Sequence, residues 1–195
     1  MSGAWIFVCG PSGAGKDSVI ASAREMLSSR QDIVFARRMV TRPAQQGSDH
    51  EPVAEADFLA LLRAGGLSWH WQAHGFYYGI SRHYGDEVEA GRSVVVNGSR
   101  EHVNSLEPSH GLRVVQITAD HRQLAERLAQ RGRDASHAVT ERLARNTRFT
   151  GMQADCVIVN DAELATAGRR LADYLARNAQ ATAADAMQAR SSTAT

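Results

Sequence analysis

The chain has 195 residues, a formal net charge of +1 and a hydrophobic content of 43%. That length fits one compact α/β domain with room for sub-lobes, and that apolar content is enough for a real core. The near-neutral balance argues against a general nucleic-acid surface, and no apolar run approaches the ~20 residues of a membrane span.

Trp5, Ile6, Phe7, Val8 and Cys9 form a short apolar run that predicts a buried strand. It leads into Gly10, Pro11, Ser12, Gly13, Ala14, Gly15, Lys16, Asp17 and Ser18, followed by an amphipathic pattern over residues 19–27 that predicts a helix. Strand, glycine-rich loop, Gly15 with Lys16, and helix make a phosphate cradle. The glycines let backbone N–H groups converge on a polyphosphate, the helix start adds its positive dipole end, and Lys16 supplies a mobile charge. The hydroxyl that usually follows the lysine and binds Mg²⁺ is here Asp17, with Ser18 one place later. Two readings of Asp17 stay open, an approach to the metal or a helix-start acid facing the dipole.

Further along, strands are expected at 33–35, 93–96, 112–117 and 156–159, with helical patterns at 57–64, 84–90, 121–130, 138–149 and 162–177. Strands alternating with helices imply a mainly parallel sheet covered on both faces, with ligands at the carboxyl ends of the strands. Residues 37–78 are polar and turn-rich, then aromatic, and read as an inserted lobe; 131–137 reads as a short lid. Cys9 and Cys156 read as reduced core residues, and the absence of a signal peptide suggests a cytoplasmic chain. His70 and His74 are placed to share a strand face, but no third ligand sits at a recognisable spacing. Residues 179–195, rich in Ala, Ser and Thr, read as a frayed helix end or a flexible tail.

With these pieces placed, the chain resembles the guanylate kinase family over most of residues 4–178. The resemblance rests on the loop from Gly10 to Lys16, on Val40, Thr41 and Arg42, on Gly75, Phe76, Tyr77, Tyr78 and Gly79, on the run from Arg127 through Arg131, Gly132 and Arg133 to Arg142, and on Asn160 with Asp161. It implies an αβα P-loop kinase core with a mainly parallel sheet, a small acceptor lobe at about 37–80 and a lid at about 131–137, all within one domain over 1–178. The departures are informative. The acid by which that family reads guanine falls here near Trp69, and its carboxylates after the central strand fall at Val96, Asn97, Gly98, Ser99 and Arg100. Gln45 stands where a second phosphate-binding arginine is expected. Guanine's N–H donors would find no acceptors, which costs affinity and selectivity.

These replacements, with Arg38 to Pro43, Gly47 to Val53 and Val94 to Arg100, look like the ribose 1,5-bisphosphate phosphokinases of phosphonate utilisation. That resemblance implies ATP with Mg²⁺ as cofactors and a small-molecule phosphate acceptor, ribose 1,5-bisphosphate, converted to 5-phosphoribosyl 1-diphosphate. It implies Lys16 with Arg131, Arg133 and Arg142 at the transferring group, and Asp17 and Ser18 toward the metal. Arg38, Arg42 and Arg100 would take the acceptor's phosphates, while His50, Glu51, Tyr78, Asn97 and Ser99 would serve its sugar hydroxyls. Tyr77 and Tyr78 read equally well as core aromatics. Asn160 would flank the adenine side. A guanylate kinase and a non-catalytic interaction module are the competing readings, and an intact phosphate clamp argues against the second.

Overall fold

The computed structural model describes residues 3–44, 49–106, 111–120, 122–124 and 153–192. Strand β1 (Ala4–Cys9) lies at the centre of a parallel sheet ordered β2 (Ile33–Phe35), β7 (Ser93–Asn97), β1, β8 (Leu112–Thr118), β9 (Cys156–Val159). A central parallel strand is buried on both faces, which is why β1 reads as an unbroken apolar run. Its side chains alternate between two cores. Ile6 and Val8 pack with Val19, Ile20 and Ala23 of α1 (Lys16–Met26) and with Leu171 and Leu175 of α5 (Leu164–Ser192). Phe7 and Cys9 face the other way, toward Val88 of α3 (His83–Glu89) and Val103 of α4 (Arg100–Asn104).

The segment read as a lobe contains a second sheet of four strands, ordered β4 (His50–Pro52), β3 (Arg38–Val40), β6 (Phe76–Ser81), β5 (Leu67–Ala73). β3 runs parallel to β4, and β6 is antiparallel to both β3 and β5. Helix α2 (Glu55–Arg63) caps this sheet through Phe58, which is fully buried and stacks on Tyr77 at 5.4 Å. Gly79 makes the contact possible, since a Cβ there would lie 2.8 Å from the Phe58 ring.

Three expectations change. The last helix continues to Ser192 instead of ending near residue 177, because the alanine-rich stretch read as a tail carries the highest helix propensity. Cys156 is only half-buried, because β9 is the edge of the sheet; both cysteines are free thiols. β5 stops at Ala73 and His74 turns into the left-handed region with φ 54°, so His70 and His74 share no strand face. The helices expected at 121–130 and 138–149 lie, but for residues 122–124, outside the described residues.

Candidate active site

The loop between β1 and α1 adopts backbone angles that favour glycine, with φ of 153° at Gly10, 90° at Gly13 and 79° at Gly15. Gly10 is required for closeness as well, because a side chain there would run into the Ile117 carbonyl of β8. At Gly15 a Cβ would stand 2.6 Å from Nδ2 of Asn160. That asparagine is buried and donates to the Ala14 carbonyl oxygen at 2.9 Å. The residue expected beside adenine is therefore turned into the loop, where its amide braces the cradle from the end of β9.

Lys16 opens α1, and its Nζ donates to the carbonyl oxygens of Gly10 at 3.0 Å and Pro11 at 3.3 Å. Desolvation by burial pushes the ammonium down to about 8, with Arg38 and Arg100 acting in the same sense against Asp17 and Cys9. The Cys9 thiol beneath the loop is pushed up to about 12 by burial, so it stays neutral at physiological pH.

Next to the cradle, Asp17 Oδ1 accepts from Nδ2 of Asn97 at 2.5 Å and lies 3.8 Å from the Arg38 guanidinium. Three elements thus converge on one carboxylate: the start of α1, the end of β7 and the start of β3. A single exposed carboxylate with an amide beside it suits a hard, oxygen-seeking cation such as Mg²⁺, which draws its other ligands from phosphate and water. Ser18 is exposed on the same helical turn. Among the described residues no cluster of three or more His, Cys, Asp or Glu side chains offers a rival metal site.

On the lobe side, Arg38 sits over the Tyr78 ring at 5.9 Å and Arg42 over the Phe76 ring at 5.9 Å. Burial lowers the Arg38 pKa, and Arg42 is near enough to push it the same way while Asp17 opposes. Arg100 begins α4 directly after β7, with Ser99 as the residue before the helix. Lys16, Arg38, Arg42 and Arg100 therefore surround the sheet's carboxyl end with positive charge. His50 does not open onto this cleft. It is buried, and its Nε2 lies 3.2 Å from the Arg42 carbonyl oxygen. Glu51 is exposed on β4, and Tyr78 is buried against Trp71. Arg131, Arg133, Arg142 and Gln45 lie outside the described residues.

Two side chains were not anticipated. Trp71 of β5 stacks on His102 of α4, centroids 4.7 Å apart and planes 14° from parallel. His102 lies two places beyond Arg100 at a helix start, a spacing that carries no motif and so gave no signal.

A phosphate-binding loop at the head of a helix, facing an arginine-lined lobe across the carboxyl end of a parallel sheet, defines a P-loop kinase, a phosphoryl-transfer enzyme with a small-molecule substrate. The fold agrees with a guanylate kinase from Anaplasma phagocytophilum at a TM-score of 0.64 and 18% identity, over 90% of this chain and 86% of that one. No family model matches the chain. Among curated proteins it is 39% identical over 176 residues to the ribose 1,5-bisphosphate phosphokinase PhnN of Thiobacillus denitrificans, covering 89% of this chain and 93% of that one. It is 44% identical over 172 residues to the protein of the same name from Pseudofrankia inefficax, covering 87% and 88% respectively. A third, from Acidiphilium cryptum, is 42% identical over 176 residues, covering 90% and 94%. The chain belongs to the ribose 1,5-bisphosphate phosphokinase family.

Proposed function

We propose that the chain transfers the γ-phosphoryl group of ATP to the 1-phosphate of ribose 1,5-bisphosphate, giving ADP and 5-phosphoribosyl 1-diphosphate as a step of phosphonate catabolism. The observation that carries this reading is the meeting of Asp17, Asn97 and Arg38. The end of β7 offers an amide and then Arg100, not the carboxylates a purine's N–H donors would need.

An acceptor phosphate is ionised at neutral pH and is its own nucleophile, so the reaction needs positioning and charge neutralisation and no general base. Lys16 leaves the Gly10 and Pro11 carbonyls to meet the β- and γ-phosphates. Arg38, Arg42 and Arg100 hold the acceptor's phosphates, their forked donors matching the oxygens. Asn97, Ser99 and Glu51 serve the sugar, His50 and Asn160 position Arg42 and the loop, and Tyr78 forms the wall behind Arg38. Asp17, with Ser18 beside it, would hold Mg²⁺, which would supply charge to neutralise the phosphate oxygens. We assign Arg131 and Arg133 of the lid at about 131–137, together with Arg142 beyond it, to the transferring group. The working unit is one domain over 1–178 with its acceptor lobe at about 37–80, acting in the cytoplasm where ATP is at hand.

An acceptor oxygen attacks the γ-phosphorus in line, the bond to the β–γ bridging oxygen breaks, and ADP carries away that electron pair. Coupling the reaction to an enzyme that consumes 5-phosphoribosyl 1-diphosphate tests the assignment. Product formed only with ribose 1,5-bisphosphate and ATP supports it, and ADP release without that product overturns it.

A further inference from the structure

We infer that the stack of Tyr78, Trp71 and His102 selects the acceptor, by closing the acceptor cleft to a planar base while leaving it open to a sugar phosphate. This rests on the acceptor assignment proposed above.

The stack belongs to a closed ring of contacts around the cleft. Arg38 lies over Tyr78, Tyr78 stacks on Trp71 at 5.4 Å with planes 6° apart, and Trp71 stacks on His102 at 4.7 Å. His102 leads back along α4 to Arg100 and the end of β7, where Asn97 meets Asp17, and Asp17 returns to Arg38. The phosphate-binding cations and the aromatic stack are thus adjacent parts of one wall.

That wall is fixed from behind. Trp69 meets His102 edge-on at 5.9 Å, Phe7 of β1 at 5.5 Å and Trp5 at 5.7 Å, which ties the lobe's β5 to the core sheet. Phe7 also meets His102 at 5.7 Å. A ring held by edge-on partners on one side and a parallel ring on the other has little freedom to swing away.

The chemistry follows from the spacing. For a base to enter between Trp71 and His102, their separation would have to grow to about twice a single stacking distance. Two of the wall's ring nitrogens offer no edge for reading a base, since Trp69 Nε1 and His102 Nδ1 are buried and without a hydrogen-bond partner. Burial also lowers the His102 pKa to about 4, with His70 acting in the same sense, so the stacked imidazole is neutral at neutral pH. Lobe and core thus fill with protein rings the flat apolar space that a nucleoside's base would otherwise occupy. Exclusion of this kind discriminates against a wrong ligand without adding any contact to the right one.

The test compares ADP release with ribose 1,5-bisphosphate and with GMP, first in the wild type and then in Trp71→Leu and in the double variant Trp71→Ala, His102→Ala. Trp71→Leu keeps apolar bulk in β5 and covers the case in which the double variant does not fold; Trp71→Phe is the control that keeps the stack. We expect kcat/KM for GMP, relative to ribose 1,5-bisphosphate, to rise at least ~10-fold in the stack-breaking variants, the scale at which a reshaped pocket discriminates, and to stay put in Trp71→Phe. Folded Trp71→Leu with the wild-type ratio overturns the inference, as does loss of ribose 1,5-bisphosphate turnover with no gain for GMP. Failure of the wild type to use ribose 1,5-bisphosphate overturns the proposed function itself, a result read before any variant is made.

Discussion

Lys16 Nζ donates to the Gly10 carbonyl oxygen at 3.0 Å, so the loop's cation is folded back onto the loop's own backbone. The hydrogen bond satisfies a half-buried ammonium until phosphate oxygens replace the carbonyls. Replacing Lys16 by alanine removes a charge-assisted contact whose loss costs several kcal/mol in a transition state. We expect Lys16→Ala to abolish turnover while its circular dichroism spectrum and cooperative melting are kept; a folded variant with near-wild-type turnover would show that the loop is not the site.

The same lysine gives a pH signature. Its pKa is lowered, to about 8 from an ordinary 10.5, so the free enzyme loses the charge as pH rises through about 8. kcat/KM for ATP, which reports the free enzyme, should fall above that pH, while kcat holds further because bound phosphates restore the proton. The sign for stability runs the other way. The folded state disfavours the proton, so below pH 8 the buried charge costs stability, and the cost disappears as pH rises toward 10.5. Lys16→Met should therefore melt higher than wild type at pH 7 without ligand, by an amount on the order of 1 kcal/mol, with the gap narrowing at alkaline pH. Melting curves from pH 7 to 10 check it.

Asp17 accepts from Asn97 and faces Arg38, which leaves one carboxylate to serve a divalent cation. Asp17→Asn should raise the Mg²⁺ concentration for half-maximal rate several-fold, more than it weakens nucleotide binding measured with chelator present. An unchanged Mg²⁺ requirement would reduce Asp17 to a helix-end charge.

Asn160 bridges from the end of β9 to the Ala14 carbonyl. Asn160→Ala leaves that carbonyl without its side-chain donor and opens space beside Gly15, for a loss of about 1–3 kcal/mol in stability. The KM for ATP should rise with it, because the loop loses its brace. Denaturant melts and initial rates measure the two effects, and a higher KM at unchanged stability would return Asn160 to direct nucleotide contact.

Acceptor choice gives the sharpest comparison. With no carboxylate at the end of β7, guanine's donors go unpaired, and ribose 1,5-bisphosphate should exceed GMP in kcat/KM by at least ~10²-fold. ADP release at matched sub-saturating concentrations decides it, and equal rates would restore a guanylate kinase reading.

Local sequence carried the frame well. The β1 run, the glycines at 10, 13 and 15 and the helix after them specify the cradle within one continuous segment, so its geometry follows from neighbours in the chain. The segment over 37–78 stood out from the core, because turn formers and aromatics break the alternation of strand and helix, and the second sheet lies there. What stayed hidden depends on partners far apart in sequence. The contact of the His50 ring with the Arg42 carbonyl joins β4 to the residues just after β3, and the amide of Asn160 reaches Ala14 across 146 positions of chain. The stacking of Trp71 on His102 joins β5 to α4 with no periodicity linking them, and only the folded chain brings them together. The length of α5 was missed for another reason, since an alanine-rich stretch with little to bury looks the same whether it is helical or loose.

Helix α1 holds the cradle at its first turn and packs along its length on α5, where Gly168 stands so close to Ser22 that a Cβ would have no room. At 1.5 Å per residue, α1 is a strut of roughly 16 Å, stiff over that span. The position of Lys16 is thus set within the helical layer on one face of the sheet, by how α5 seats on α1. The ordering of the loop is completed when the domain folds, and a nucleotide meets it with that entropy already spent. Widening the helix–helix spacing at Gly168 would blur the loop's position and weaken nucleotide binding without altering any residue that touches phosphate.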